Sequence, residues 1–147
     1  MTKIRVTKEF RFEMAHALEN YSGKCRHIHG HSYILQVTVI GAPNNNANDS
    51  TFGMVMDFGE LKHIVNEHIV NRFDHALVLQ EGVALSKALQ EQYGNVMLTC
   101  YQPTCENMVI AFAETLQKHL PKHVRLFSLR LHETATSYAE WFASDNV

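Results

Sequence analysis

Cys25, His27, His29 and His31 fall within one short stretch, and His16 precedes them at the end of an alternating apolar row. In an extended chain, alternate side chains share a face about 6.5–7 Å apart, so His29 and His31 can address one point. Gly30 between them lets another group come close to the backbone. Three imidazoles and one open position make the donor set of a catalytic zinc rather than a closed structural one. Cys25 adds a thiol just upstream. As a fourth ligand it would close the tetrahedron, and as a neighbour it would gain thiolate character and take a proton. The residues leave both readings open. His27 shares the alternating register, so spacing does not choose which two of His27, His29 and His31 join His16. A chain with 10 histidines in 147 residues will show some clustering by chance, and a lone core histidine is usually only a satisfied core residue.

Two strand patterns position these groups. Ile4, Val6, Phe10, Phe12, Met14 and His16 share one face of the first, with Arg5, Thr7, Glu9, Arg11 and Glu13 on the other. In the second, Tyr33, Leu35, Val37 and Val39 continue the face of His29 and His31, opposite Ser32, Gln36 and Thr38. The candidate ligands therefore lie on the core side, where burial favours neutral imidazole. Gly41 to Gly53 reads as a loop by composition.

Asp57 and Glu60 read as a capping pair for a helix whose stripe is Phe58, Leu61, Ile64, Val65, His68 and Ile69. A second helical stretch is expected from about Val83 to Gln92. A third helix follows Thr104 as N-cap, buries Val109, Phe112, Ala113, Leu116 and Leu120, and stops at Pro121. Phe127, Leu129, Leu131 and Glu133 then share one face of a strand, and a last strand spans about Ser137 to Phe142. This order predicts an α+β fold, an antiparallel four-stranded sheet with helices on one face. No repeat or second domain is expected, so 1–147 reads as one domain.

Asp74-His75 ends the first helical region, which by itself is as consistent with a dipole-favoured helix end as with chemistry. Glu133 ends an apolar row. If buried it needs paired donors, and the amidine-like NH edge of a pterin or guanine ring supplies them in bidentate fashion. His63, His68, His119 and His123 fall in helices or at their ends and read as surface groups or helix C-terminal groups.

The bulk numbers bound the rest. A chain that is 46% hydrophobic and 19% charged suits a compact domain with a sizeable core. A net charge of −2 gives no electrostatic case for nucleic acid. No apolar run reaches the ~18 residues of a membrane span, and the start lacks the apolar core of a signal peptide. Three cysteines without a CxxC pair point to reduced thiols and a cytoplasmic setting, with Cys100 and Cys105 read as small buried apolar residues.

Six pieces run in order along nearly the whole chain: Phe12-Glu13-Met14-Ala15-His16, Cys25-x-x-x-His29-Gly30-His31, Met54-Val55-Met56-Asp57-Phe58, Asp74-His75, Pro103-Thr104-Cys105-Glu106-Asn107 and His132-Glu133-Thr134. As an ordered set they resemble the 6-pyruvoyltetrahydropterin synthase and 6-carboxytetrahydropterin synthase family. The resemblance implies the tunnelling fold (T-fold), with β-β-α-α-β-β subunits assembling into a barrel, here a homohexamer of two stacked trimers. It implies Zn2+ on His16, His29 and His31, with His27 a bystander or support. It implies Cys25 as proton acceptor, His75 and Glu133 as relay partners, Asp74 orienting His75, and Glu133 gripping the pterin with help from the Thr104–Glu106 turn.

The short Cys25–His29 gap is similar to that of the carboxy-type enzymes on the route to 7-deazaguanine (queuosine) nucleosides. The implied activity is a lyase acting on 7,8-dihydroneopterin triphosphate to give 6-carboxy-5,6,7,8-tetrahydropterin, acetaldehyde and triphosphate. The rivals are a pyruvoyl-type or aldolase-like enzyme of the same fold, and a non-catalytic zinc-binding module. A module has no need for Cys25, Asp74, His75 and Glu133 together. The chain departs from the family pattern at Ala76-Leu77-Val78-Leu79, at His132, and in a longer stretch from Gln80 to Gln102.

Overall fold

A computed structural model describes residues 1–82 and 84–147. Two long strands, β1 (Ile4–His16) and β2 (His29–Gly41), pair antiparallel along their whole length, with His16 opposite His29. The alternation in the sequence is the alternation of burial: Phe10, Phe12, Met14 and His16 of β1 and Tyr33, Leu35, Val37 and Val39 of β2 are all buried. β3 (Ala76–Gln80), β4 (Val96–Thr99), β5 (Val124–His132) and β6 (Tyr138–Phe142) complete a six-stranded sheet in the order β4-β3-β1-β2-β5-β6.

The four-stranded expectation is thus corrected to six. β5 and β6 are the two later strands foreseen, but β3 and β4 add a parallel pair beyond β1. The departure Ala76-Leu77-Val78-Leu79 is β3 itself. Val78 and Leu79 are both buried, because a parallel strand covered on two faces carries a continuous apolar run without alternation.

α1 (Phe58–Val65) begins at Asp57, whose Oδ1 accepts the Gly59 N–H at 2.7 Å; it runs on through a π-helical turn (Asn66–Val70) into α2 (Asn71–Phe73). Leu61, Val65 and Ile69 are buried as the stripe requires, whereas Phe58 is half exposed and outside it. α3 (Ala84–Gln92) realises the second expected helix, of which Val83 lies outside the described residues. α4 (Cys105–His119) is capped by Thr104, whose hydroxyl accepts the Asn107 N–H at 3.1 Å, and it buries Met108, Val109, Phe112, Ala113 and Leu116. α1, α2 and α4 pack over the buried face of β1 and β2, while α3 packs beside β4.

One face assignment changes. The β2–β5 register shifts by one residue opposite Thr38/Val39, a bulge that skips Phe127. Val124, Leu126, Leu129 and Leu131 face the core, while Phe127 turns to the other side, under the Arg5 guanidinium at 3.8 Å.

Candidate metal centre

His16 closes β1, and His29 and His31 open β2, so strand pairing alone brings the three imidazoles together. Their ligating nitrogens all lie within 4.8 Å of one another, and among the described residues they form the one such group of histidine, cysteine or acidic side chains. Cys25 is not among its donors.

Two carbonyls decide which nitrogens face the centre. His16 Nδ1 lies 2.7 Å from the Pro103 carbonyl, and His29 Nδ1 lies 2.6 Å from the His27 carbonyl. A carbonyl only accepts, so each Nδ1 carries the proton and each Nε2 keeps a bare lone pair. Those two Nε2 atoms face one another at 3.0 Å. Two lone pairs at that distance repel, unless a cation sits between them. Two Zn–N bonds of about 2.0–2.1 Å at a tetrahedral angle hold their nitrogens about 3.3 Å apart, close to what is seen. His31 Nε2 is buried with no hydrogen-bond partner, which a bound cation would also relieve. The donor set fits a metal ion.

The surroundings keep the cluster neutral. Burial lowers the pKa of His16 below its ordinary 6.5, outweighing the Pro103 carbonyl and the Glu133 carboxylate, which pull the other way. Burial lowers that of His31 as well, again against Glu133. Neutral imidazole is the form that binds metal. Affinity should therefore stay flat down through pH 6.5, the ordinary imidazole value, and fall only at lower pH, where His16 and His31 take up protons; a metal titration across pH checks this.

Glu133 Oε1 stands 3.3 Å from His16 Nε2 and 3.5 Å from His31 Nε2. Glu133 sits just past β5, where its own N–H and that of Thr134 bond the Ser137 carbonyl. Tyr33 walls the site from below, its ring stacked on Phe12 and its pKa raised by burial.

The other expected site residues are placed as follows. Cys25 lies half-buried in a 3-10 turn (Lys24–Arg26), and its carbonyl accepts the Leu18 N–H at 3.0 Å. The same turn removes His27 from the strand register: its N–H bonds the Lys24 carbonyl and its side chain is exposed. His27 serves the centre through its backbone alone. Asp74 and His75 pair at 3.1 Å between α2 and β3. The backbone N–H of Glu13 and then the neighbouring imidazole hold the Asp74 carboxyl below its usual range. His75 and His31 line one cleft of about 830 Å³, with Glu13, Ser32 and Tyr93 on its walls; Cys25 is not on them. Thr104 stands beside the His16-orienting Pro103, and Glu106 is exposed on the first turn of α4. Cys105 is buried, its thiol pushed up to about 12 by desolvation, whereas Cys100 is exposed, against expectation.

The Pro103 and His27 carbonyls and the Tyr33 wall are what sequence reasoning missed. Tyr33 was legible as the next member of the His29–His31 row. The carbonyls left no signal, because any residue type could supply them.

Residues 5–144 match the family model described as 6-pyruvoyl tetrahydropterin synthase. The chain belongs to the 6-pyruvoyl tetrahydropterin synthase family. It is 33% identical over 141 residues to a protein of Haemophilus influenzae named 6-carboxy-5,6,7,8-tetrahydropterin synthase, covering 93% of this chain and 97% of the relative. A Synechocystis protein of the same name is 34% identical, covering 94% of this chain and 92% of its own. The structure of Caenorhabditis elegans 6-pyruvoyl tetrahydropterin synthase superposes with a TM-score of 0.70 at 25% identity, covering 97% of each chain. Family membership places the α+β sheet and its helices in the T-fold, here with six strands where four were expected.

Proposed function

We propose that this chain is a zinc-dependent lyase converting 7,8-dihydroneopterin triphosphate and one water to 6-carboxy-5,6,7,8-tetrahydropterin, acetaldehyde and triphosphate, in the branch leading to 7-deazaguanine (queuosine) nucleosides. The observation that carries the reading is the pair of bare Nε2 lone pairs of His16 and His29, converging with the partnerless His31 Nε2, in a chain whose full-length relatives bear the carboxy-type name. Zinc held by these histidines would lower the pKa of a side-chain hydroxyl and polarise the carbonyl that forms.

The chain's own residues supply the rest. Cys25, as thiolate, moves protons between the substrate side chain and the ring. Asp74 accepts from His75 Nδ1–H, which fixes the imidazole so that Nε2 can hand a proton on. Glu133 accepts the paired N–H groups of the pterin edge and sets the ring against the metal, with the Thr104–Glu106 turn closing the ring's far side.

Mass spectrometry of the pterin product, with a coupled acetaldehyde assay, tests the assignment. A 6-carboxy pterin with equimolar acetaldehyde is expected. A pyruvoyl pterin without acetaldehyde would move the chain to the pyruvoyl branch, and 6-hydroxymethyl dihydropterin with glycolaldehyde still carrying the triphosphate to the aldolase-like one.

The reading extends to assembly and setting. Residues 1–147 act as one domain, repeated in a homohexamer of two stacked trimers. β3 pairs only with Met14–His16, so the rest of β1 has an open edge, as does β6 at the other side of the sheet. Open edges favour ring closure with further copies. A ring also offers Cys25 and His75 a way to meet across subunits. Light scattering at micromolar concentration should give a hexamer, and a stable monomer would overturn this part. Three free cysteines suit a reducing cytoplasm. Among the described residues no helix is long and apolar enough to cross a membrane.

A further inference from the structure

His75 carries a positive φ of 60°, a backbone conformation uncommon for any residue with a side chain. Nothing about the residue itself requires this; its surroundings do. The His75 N–H bonds the Glu13 carbonyl at 2.6 Å, and the Glu13 N–H bonds Asp74 Oδ1 at 2.9 Å, so β1 grips the dipeptide from one side. From the other side the Asn95 side-chain amide donates to the His75 carbonyl at 2.7 Å. Asn95 is itself fixed, because its own carbonyl accepts the Leu77 N–H at 2.9 Å.

Asn95 is not in any of the six motif pieces. It lies between α3 and β4, within the stretch from Gln80 to Gln102. The same stretch gives the cleft shared by His31 and His75 part of its wall, through Leu89 and Tyr93. A strained backbone persists where its neighbours over-determine it, and such strain collects at sites that need one geometry.

We propose that Asn95 is a positioning residue for His75: its amide N–H locks the His75 carbonyl, and with it the left-handed turn that aligns the imidazole with Asp74 at the cleft. The α3–β4 unit is on this account a brace for the relay as well as an extension of the sheet. The inference rests on the proposed role of His75 in proton relay.

The test uses the zinc-loaded, full-length protein and the Asn95→Asp and Asn95→Ala variants, with His75→Ala as reference. Asn95→Asp keeps the size but sets a carboxylate oxygen against the His75 carbonyl. Because a misplacement of about 1 Å costs ~10²-fold, kcat should fall roughly 10- to 100-fold with KM nearly unchanged. The pH profile of kcat should shift, zinc content should hold, and NMR should show moved His75 backbone carbon and imidazole nitrogen resonances. Unchanged His75 resonances in both variants would overturn the proposal, whatever the activity. So would a lowered melting temperature and kcat with an unmoved pH profile, which is the mark of a merely structural residue. If His75→Ala turns over normally, the relay reading fails instead, and the resonances of the Asn95 variants still decide whether Asn95 sets the His75 geometry.

Discussion

Cys25→Ala should retain stoichiometric zinc and lose turnover by roughly 10²–10⁴-fold, the scale of removing a general base. The structure sets Cys25 apart from the three histidines that could hold a metal. The metal-ligating group consists of His16, His29 and His31, and Cys25 stands apart from it in the Lys24–Arg26 turn. That turn is anchored through the Cys25 carbonyl to Leu18 N–H, a backbone bond the substitution leaves in place. A half-buried side chain in a turn is also a tolerant site for a small truncation. Folding and metal loading should therefore survive while proton transfer does not. Plasma emission metal analysis beside steady-state kinetics reads both at once. Loss of zinc in parallel with activity would make Cys25 a ligand and the site a closed one.

His16→Ala should do the opposite, emptying the metal site and abolishing activity together. His16 is fully buried, and its removal leaves the Pro103 carbonyl without its donor, which costs about 1–3 kcal/mol before any metal is counted. Losing an orienting partner alone lowers metal affinity ~10–100-fold, so losing the ligand itself should exceed that range. His27→Ala is the matched control. Its exposed imidazole touches nothing in the centre, and its carbonyl, which orients His29, is kept. Equilibrium dialysis against zinc should show near-normal affinity for His27→Ala and none measurable for His16→Ala or His29→Ala. An emptied site in His27→Ala with a filled one in His29→Ala would reverse the assignment.

How much of this was readable beforehand follows the physics of each element. β1 and β2 were legible because one face is buried and the other is not, so the two-residue period shows directly, and His16, His29 and His31 inherit the core side from that period. Thr104 and Asp57 were legible as caps, because their short oxygens satisfy free N–H groups at helix starts. β3 and β4 were not. Ala76–Gln80 is apolar without alternation, and a run that short reads equally as helix or strand until its neighbours are known. The skip at Phe127 was invisible for a related reason: a bulge is a property of the pair β2–β5, and a single strand's pattern does not record it. His27 misled by spacing, since the 3-10 turn at Lys24–Arg26 runs directly into it and the strand begins only at His29. The Asp74-His75 dipeptide was legible as a candidate, but its left-handed turn and the Asn95 brace depend on partners far along the chain.

Three imidazoles are expected to hold one zinc with a fourth position open to substrate. X-ray absorption at the zinc edge of the loaded protein tests it most directly. The expected shell is three nitrogens at about 2.0–2.1 Å with one exchangeable oxygen and no sulfur. A Zn–S distance of about 2.3 Å would place Cys25 on the metal, close the open position, and contradict the reading of this site as catalytic.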